Sequence, residues 1–194
     1  MKYISISGAV AAGKTTLLER LLVHLGDRAE AHEECPQDNP FIHDYYSDSK
    51  RWSFHSQITF LALYFDHPNW KTANKEFYLY DRCLIENLVI AKYRLLEGDL
   101  TQTEYDVIEK MAKGISGLMP PIDKYIYLRC SVPLLVERLR ERDREYEGTL
   151  GYSYAKKLKT LYDEWLDTLP QEKVLVVDED EGVDMDAIIR FLES

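Results

Sequence analysis

Residues 8–16, GAVAAGKTT, follow the strand-like segment KYISIS and contain the residues with the clearest chemistry. They match the pattern of Gly, four residues, Gly-Lys and then Ser or Thr, which binds phosphates when it joins a strand to a helix. Backbone N–H groups and the helix N-terminus face the phosphates, the lysine reaches the terminal ones and the hydroxyl binds Mg²⁺. The sequence therefore predicts a site for a nucleotide and Mg²⁺ formed by Gly8, Ala11, Ala12, Gly13, Lys14, Thr15 and Thr16.

Phosphate loops of this kind occur in switches, pumps and kinases, and the rest of the sequence distinguishes among them. A GTPase switch also needs a base-reading Asn-Lys signature, but the only Asn-Lys pair, at 74–75, continues with Glu-Phe. A kinase instead needs an acceptor pocket, a base for the attacking hydroxyl and cations around the transferred phosphate. Candidates for each of these parts follow the phosphate loop along the chain.

Two adjacent carboxylates, Glu33 and Glu34, end a weak predicted strand at 28–34. A carboxylate at this place, beside the phosphate loop, can accept the proton of an attacking hydroxyl. Because neighbouring strand residues face opposite sides, only one of the two can do so. Spacing alone does not select between them, and a pair of glutamates at a strand end also occurs as solubilising charge.

Asp81 and Arg82 follow an apolar and aromatic run that predicts another strand. Their side chains are expected at the carboxyl end of the sheet, where open α/β folds bind ligands. This position suits catalysis, and a purely structural ion pair is the alternative.

A predicted helix at 50–65 places Phe54, Gln57, Leu61 and Tyr64 on one face. Gln57 is the only amide on this apolar face, and burying an amide without a partner costs about 1 to 3 kcal/mol. We therefore expect Gln57 either to bond to the backbone in the core or to meet a ligand with both a donor and an acceptor, such as a nucleobase edge.

Four arginines, Arg138, Arg140, Arg142 and Arg144, recur at every second residue before a glycine-rich break at 148–151. On a helix they form two rows, so only some of them can face a phosphate. The cluster is consistent with a cationic lid over about 138–151 or with a solvated helix end whose neighbouring glutamates are its partners.

The elements that position these residues alternate between strands and helices, which predicts an α/β fold with a parallel sheet of about five strands. The predicted strands are 2–7, 28–34, 76–81, 123–130 and 172–178. The predicted helices are 15–25, 50–65, 84–97, 101–115, 132–144, 153–169 and 185–192.

Composition limits the class of protein further. A chain of 194 residues is expected to form a single domain, 1–194, and its net charge of −10 argues against a nucleic acid polymer as partner. The three cysteines lack any CxxC pair, which favours reduced thiols over a zinc site or disulfides. The sequence has no leader-like or membrane-spanning segment, so we expect a cytoplasmic protein.

With these features in their order along the chain, the sequence resembles the deoxynucleoside kinases, in particular the bacterial deoxyadenosine and deoxyguanosine kinases. The resemblance covers essentially the whole chain and is carried by four stretches after the phosphate loop, 33–46, 51–57, 81–83 and 138–147. It implies a P-loop kinase fold, with helices flanking a parallel five-stranded sheet and an arginine-rich lid. It also implies transfer of the γ-phosphate of ATP, with Mg²⁺, to the 5′-hydroxyl of a deoxynucleoside, and a homodimer.

The resemblance also implies roles for single residues. The family's general base stands five residues before an Asn-Pro pair, which selects Glu34. Tyr46 matches the residue that bonds the sugar 3′-hydroxyl, and Gln57, eleven residues later, matches the residue that reads the base. Asp81 is implied to help hold Mg²⁺, and Arg82 to contact the 5′-hydroxyl and the incoming phosphate.

The remaining implied contacts lie in the lid and the base pocket. Arg138, Arg142 and Arg144 match the lid arginines that contact donor phosphates, and Glu147 matches the residue that takes the 3′-hydroxyl. Lining of the base pocket is inferred by position for Tyr64 and Asn87. The chain departs from the family at Cys35, where proline is usual, and at Cys83, where Ser or Thr is usual.

Two other functions are weighed against this one. A nucleoside monophosphate kinase of the thymidylate kinase type shares the loop, the Asp-Arg pair and an arginine lid, but it needs extra cations for its acceptor phosphate. The acceptor segment 33–57 has only Lys50 and Arg51, so a neutral nucleoside is favoured. A nucleotide-dependent regulatory protein would need neither base nor acceptor pocket. Purine deoxynucleosides are the favoured substrates, although the glutamine can pair with several bases.

Overall fold

The structure is a computed structural model that describes residues 1–66, 74–142 and 150–194. Five parallel strands in these residues form one sheet with the order β2-β3-β1-β4-β5. This confirms the predicted parallel five-stranded sheet. The strands are β1 (Lys2–Gly8), β2 (Ala29–His32), β3 (Phe77–Asp81), β4 (Lys124–Arg129) and β5 (Val174–Asp178).

Helices pack around this sheet. In the described part of the chain they are α1 (Lys14–Leu25), α2 (Ile42–Ser47), α3 (Ser49–Asp66), α4 (Asn87–Leu96), α5 (Gln102–Ser116), α6 (Val132–Glu141), α7 (Tyr152–Asp167) and α8 (Met185–Glu193). Side chains cap the N-termini of several helices: Thr101 forms a capping box with Glu104, and Ser131 caps α6. Such caps satisfy backbone N–H groups that have no partner within the helix.

The hydrophobic core packs against the strands whose carboxyl ends carry the site residues. The central strands β1 and β3 are almost entirely buried, and their apolar residues form one cluster with α1, α7 and α8. A second cluster joins α3, α4 and α5, with Leu61, Ala91 and Ile108 fully buried. Because β1 leads into the phosphate loop and β3 ends at Asp81, the first cluster fixes the position of both.

Several boundaries differ from those predicted. The short helix α2 was not predicted, because its sequence, IHDYYS, carries no long apolar period. The weak strand at 28–34 is shorter than predicted and ends at His32. The predicted helix 84–97 starts with a 3₁₀ turn at Leu84–Glu86 before α4.

The arginine-rich lid, predicted at about 138–151, is described only at 138–142 and 150–151, so 143–149 lie outside the described residues. Among the described residues, no helix combines the length and apolar composition that crossing a bilayer requires.

Candidate active site

A cavity of about 630 Å³ opens at the carboxyl edge of the sheet, a volume within the usual range for small-molecule sites. It is lined by residues from the phosphate loop, the segment after β2, helices α2 to α4, the end of β3, helices α6 and α7 and the loop after β5. The predicted site residues in its lining are Ala11, Gly13, Lys14, Thr15, Thr16, Glu34, Tyr46, Gln57, Asp81, Arg82, Asn87, Arg138 and Arg142.

The phosphate loop has the backbone strain that its glycines predict. Gly8 has φ of 147°, and a Cβ there would lie 2.7 Å from the carbonyl oxygen of Leu128. Gly13 has φ of 99°, and Ala11 is also left-handed, with φ of 65°. A non-glycine residue in this conformation is strained, and such strain is found where the backbone must present groups to a ligand.

Lys14 lies at the start of α1 and is buried within the loop. Its Nζ donates to the carbonyl oxygens of Gly8 and Ala9, each at 2.9 Å. Burial, together with the positive charge of Arg82, lowers the pKa of Lys14 to about 8. The lysine is therefore held against the loop, close to the path of any bound phosphate chain.

Thr15 and Asp81 place two oxygen ligands side by side. The Thr15 hydroxyl donates to Oδ2 of Asp81 at 2.6 Å, which joins the start of α1 to the end of β3. Hydroxyl and carboxylate oxygens are the protein ligands that Mg²⁺ takes in phosphate sites, together with waters and phosphate oxygens. The residues present therefore fit a magnesium site beside the phosphate loop.

Arg82 is held on all sides. Its backbone has φ of 72°, its N–H donates to the carbonyl oxygen of Ile6 at 2.9 Å, and its own carbonyl oxygen accepts from the Tyr64 hydroxyl at 2.7 Å. Its Nε donates to Oε2 of Glu34 at 3.0 Å, and its Nη1 donates to the Tyr162 hydroxyl. Backbone and guanidinium are thus fixed independently of each other.

The structure separates the two glutamates that spacing left equivalent. Because β2 ends at His32, Glu33 and Glu34 lie in the segment after the strand rather than at its end. Glu34 is partly buried, lines the cavity and pairs with Arg82, whereas Glu33 is exposed and does not line it. Only Glu34 of the two is therefore placed where a substrate hydroxyl would meet a carboxylate.

The other end of the cavity is aromatic and carries unpartnered amides. Gln57 Oε1 and Asn87 Nδ2 are buried, and neither has a hydrogen-bond partner among the described residues. One is an acceptor and the other a donor, and both residues line the cavity together with Tyr45 and Tyr46. A flat ligand with donors and acceptors on its edge would satisfy both amides.

Tyr64 does not line this cavity, although its position on the face of α3 suggested that it would. It is buried outside the cavity lining with its ring against His32, and its hydroxyl donates to the Arg82 carbonyl oxygen. The stripe from Phe54 to Tyr64 runs over ten residues, about 15 Å of helix, so its two ends face different surroundings.

Some predicted residues are near the cavity without lining it, and two lie outside the described residues. Gly8 and Ala12 are buried within the loop, where their carbonyl oxygens accept from Lys14 and Arg138. Arg144 and Glu147 belong to 143–149, which the structure does not describe.

Arg138 is directed to the phosphate loop at one end of the cavity. Its guanidinium donates to the carbonyl oxygen of Ala12 at 3.0 Å and to the carboxylate of Glu179 at 2.8 Å. Glu179 and Val183 lie after β5 and also line the cavity. This loop is attached to α6 through Asp180, whose carboxylate accepts from the Ser131 backbone and hydroxyl.

Glu86 is a functional candidate that the sequence analysis missed. It ends the 3₁₀ turn before α4, is completely buried, and accepts from the Gly8 backbone N–H at 3.3 Å. Its Oε1 lies 3.5 Å from Nη1 of Arg82. Burial raises the pKa of Glu86, while the charges of Arg82 and Lys14 oppose this rise. No local pattern identifies such a residue, because its contacts are distant in sequence.

Comparison with known proteins identifies the family of this chain. The sequence model of the deoxynucleoside kinase family matches residues 4–190. A deoxyadenosine/deoxycytidine kinase of Bacillus subtilis is 30% identical over 166 residues, which cover 84% of this chain and 76% of the relative. A deoxyguanosine kinase of the same organism is 27% identical and covers 92% of this chain and 86% of its own.

Solved structures agree as well. The deoxyadenosine kinase of M. mycoides with bound dATP superposes with a TM-score of 0.85 at 28% identity, covering 100% of both chains. The same enzyme with bound dCTP gives a TM-score of 0.82 at 26% identity, covering 98% of this chain and 96% of its own. The arrangement of strands, phosphate loop and cavity is thus that of a P-loop kinase. This chain belongs to the deoxynucleoside kinase family.

Proposed function

We propose that this deoxynucleoside kinase transfers the γ-phosphate of ATP to the 5′-hydroxyl of a purine deoxynucleoside, in nucleotide salvage. The observation that carries the proposal is a continuous set of contacts across one cavity. Thr15 of the phosphate loop bonds to Asp81, the next residue is Arg82, and Arg82 pairs with Glu34. Donor and acceptor ends of the cavity are therefore joined by the groups that phosphoryl transfer needs.

Transfer proceeds in line between the two ends of the cavity. Glu34 accepts the proton of the 5′-hydroxyl while the hydroxyl oxygen forms its bond to the γ-phosphorus. The bond from that phosphorus to the β–γ bridging oxygen breaks, and ADP leaves with its electron pair. Lys14 and Arg82 offset the negative charge on the transferred group, and Arg138 and Arg142 act on the donor phosphates.

Thr15 and Asp81 would hold Mg²⁺. The ion, when bound, neutralises charge on the donor phosphates and helps to orient them. The donor base lies against the loop after β5, near Glu179 and Val183, which line the cavity.

A neutral acceptor is favoured over a nucleoside monophosphate by the charges in the cavity. Its cationic lining residues in the described chain are Lys14, Arg20, Arg82, Arg138 and Arg142. None of them comes from 33–57, the segment that contributes Glu34, Tyr45, Tyr46 and Gln57. Lys50 and Arg51 are both exposed and outside the lining. An acceptor phosphate would therefore lack counter-charges of its own.

The purine preference rests on the two unpartnered amides. Gln57 can accept and donate along the edge of the base, while Asn87 Nδ2 offers a second donor. A purine presents a ring nitrogen, N7, on the side away from its pairing edge, and a pyrimidine has no such acceptor. Tyr46 is proposed to bond the 3′-hydroxyl, as the family resemblance implies.

The homodimer implied by the family remains a proposal. Helices α3 and α4 would form its interface, and Leu96 at the end of α4 is 61% exposed. Sedimentation equilibrium tests it, with twice the chain mass expected and the single-chain mass as the contrary result.

The experiment that tests the proposed function measures transfer of radiolabelled γ-phosphate from ATP to each of the four deoxynucleosides and to their 5′-monophosphates. We expect labelled monophosphates from deoxyadenosine or deoxyguanosine, with at least tenfold lower kcat/KM for pyrimidine deoxynucleosides. Faster labelling of a monophosphate than of its nucleoside would identify a monophosphate kinase instead. ATP hydrolysis without any labelled acceptor would contradict both.

A further inference from the structure

We infer that Glu86 is a positioning residue that serves as the permanent counter-ion of Arg82 and fixes the first amide of the phosphate loop. The inference rests on the proposed roles of Glu34 and Arg82. It is drawn from one carboxylate, fully buried, that contacts both the loop and the catalytic arginine.

Burial of the Glu86 carboxylate has to be compensated. A carboxylate without exposure to water is tolerated only if it is paired and hydrogen-bonded. The Glu86 carboxylate accepts from the Gly8 N–H at 3.3 Å and lies 3.5 Å from Arg82 Nη1. The side chains of Ser7 and Tyr162 and the charge of Lys14 also act on it. Its other oxygen, Oε2, has no hydrogen-bond partner in the described part of the chain. The opposite charges that compensate for burial of this carboxylate, Arg82 and Lys14, therefore both belong to the reaction site.

The two carboxylates that face Arg82, Glu34 and Glu86, differ in their exposure. The side chain of Glu34 is 18% exposed and lines the cavity, so a substrate hydroxyl can reach it. The side chain of Glu86 is 0% exposed and does not line the cavity. Substrate can therefore approach only one of the two carboxylates that face this guanidinium.

Proton transfer to Glu34 changes the ion pairing of Arg82. When Glu34 accepts the hydroxyl proton, its carboxylate becomes a neutral acid and its ion pair with Arg82 is lost. At that moment the transferred phosphoryl group carries its greatest charge, and Arg82 must not move. Glu86, which exchanges no proton with the substrate, keeps the guanidinium and the loop amide at a fixed separation. A displacement of about 1 Å in such a site can cost on the order of 10²-fold in rate.

Glu86→Gln tests this, because glutamine keeps an oxygen acceptor for the Gly8 N–H and removes only the charge. We expect kcat to fall by about 10²-fold, with the KM for the deoxynucleoside changed less than twofold. Ile188→Val, a conservative change on the buried face of α8, is the control for a loss of stability alone and should leave kcat unchanged.

If Glu86 acts through Arg82, a double-mutant cycle of the two residues separates a positioning role from a structural one. In an Arg82→Met background, adding Glu86→Gln should lower kcat no further, since the group that it positions is gone. The pair of neutral side chains also avoids an unpaired buried charge. If Glu86→Gln alone does not fold, Glu86→Asp takes its place in the wild-type background. It keeps the charge but withdraws it from Arg82 and Gly8, so a smaller loss of kcat is expected.

An unchanged kcat in the single variant, or the same loss with and without Arg82, would overturn the inference. Wild-type enzyme is assayed first on deoxynucleosides. Absence of transfer there contradicts the proposed function, whereas normal wild-type transfer with an unaffected Glu86 variant contradicts only the inference.

Discussion

The two ends of the cavity are constructed differently. The proposed donor end is a contiguous stretch, residues 8–16, whose strained backbone and helix start would form the phosphate site almost by themselves. The acceptor end is assembled from residues in separate elements, with Glu34 after β2, Tyr46 on α2, Gln57 on α3 and Asn87 on α4. Its geometry therefore depends on how those elements pack.

This difference predicts different responses to substitution. A change in the donor end should impair the chemical step for every acceptor, because all acceptors use the same phosphate. A change in the acceptor end should depend on the residue, with Glu34 affecting the chemical step and Gln57 affecting which nucleoside is used. Three predictions test this contrast, in order of decreasing effect, and a fourth tests the packing around the cysteines.

Glu34→Gln should lower kcat by about 10² to 10⁴-fold, the usual contribution of a general base. The substitution is nearly isosteric, and the amide oxygen can still accept from Arg82 Nε, so nucleoside affinity should change little. Steady-state kinetics gives kcat, and calorimetry gives the affinity separately.

Glu33→Gln is the matched control, since Glu33 is the adjacent residue, is exposed and does not line the cavity. It should be nearly silent. Equal losses in the two variants, or a binding defect in Glu34→Gln large enough to explain its rate, would mean that the base is elsewhere.

Lys14→Met should lower kcat by about 10² to 10³-fold for every deoxynucleoside, because it removes a charge directed at the transferred phosphate. Methionine retains the buried stem, so circular dichroism should show an intact fold. Lys157→Met, at an exposed ion pair with Glu97, is the control and should retain full activity. Turnover like that of the wild type in the Lys14 variant would disprove the assignment of the phosphate loop.

Gln57→Leu should raise KM for the preferred purine deoxynucleoside about tenfold, consistent with a lost hydrogen bond of about 1 to 3 kcal/mol. It should also reduce the discrimination between purine and pyrimidine substrates. Thr59→Ala, on the same helix and outside the cavity lining, is the control. Unchanged selectivity across the four deoxynucleosides would make Gln57 a core residue.

The last prediction is about the reactivity of the three cysteine thiols and involves no catalytic group. Burial raises the pKa of Cys83 and of Cys130 to about 12, and both side chains are inaccessible, whereas Cys35 is exposed. The thiolate is the reactive form, so at pH 8 iodoacetamide should label one site in the native protein and three after denaturation. Mass spectrometry of tryptic peptides identifies the sites; rapid native labelling of Cys130 would contradict the packing described.

The donor end could be predicted from sequence because its requirements are local. Left-handed backbone at Gly8 and Gly13 and a lysine and hydroxyl at the helix start are all specified within one short pattern. The sheet was predictable for a similar reason, since its strands are short apolar runs between helical segments.

The acceptor end and its support were less accessible because they depend on tertiary contacts. Gln57 was identified as a lone amide on an apolar face, but the same argument included Tyr64, whose hydroxyl contacts Arg82 instead. Glu86 resembles any other helix-start glutamate in sequence, and only folding brings it to Gly8. Likewise Arg94, which donates to the Tyr45 hydroxyl at 2.6 Å beneath the pocket, has no local signature.

The proposed function depends on Glu34 facing the attacking hydroxyl while the phosphate loop holds the donor. The most direct measurement is a crystal structure of this enzyme with deoxyadenosine and a non-hydrolysable ATP analogue. We expect the 5′-oxygen within about 3.2 Å of a Glu34 carboxylate oxygen, a hydrogen-bond distance for a general base, and the base edge on Gln57. A 5′-oxygen beyond hydrogen-bond reach of Glu34, or one that contacts Glu33, would contradict it.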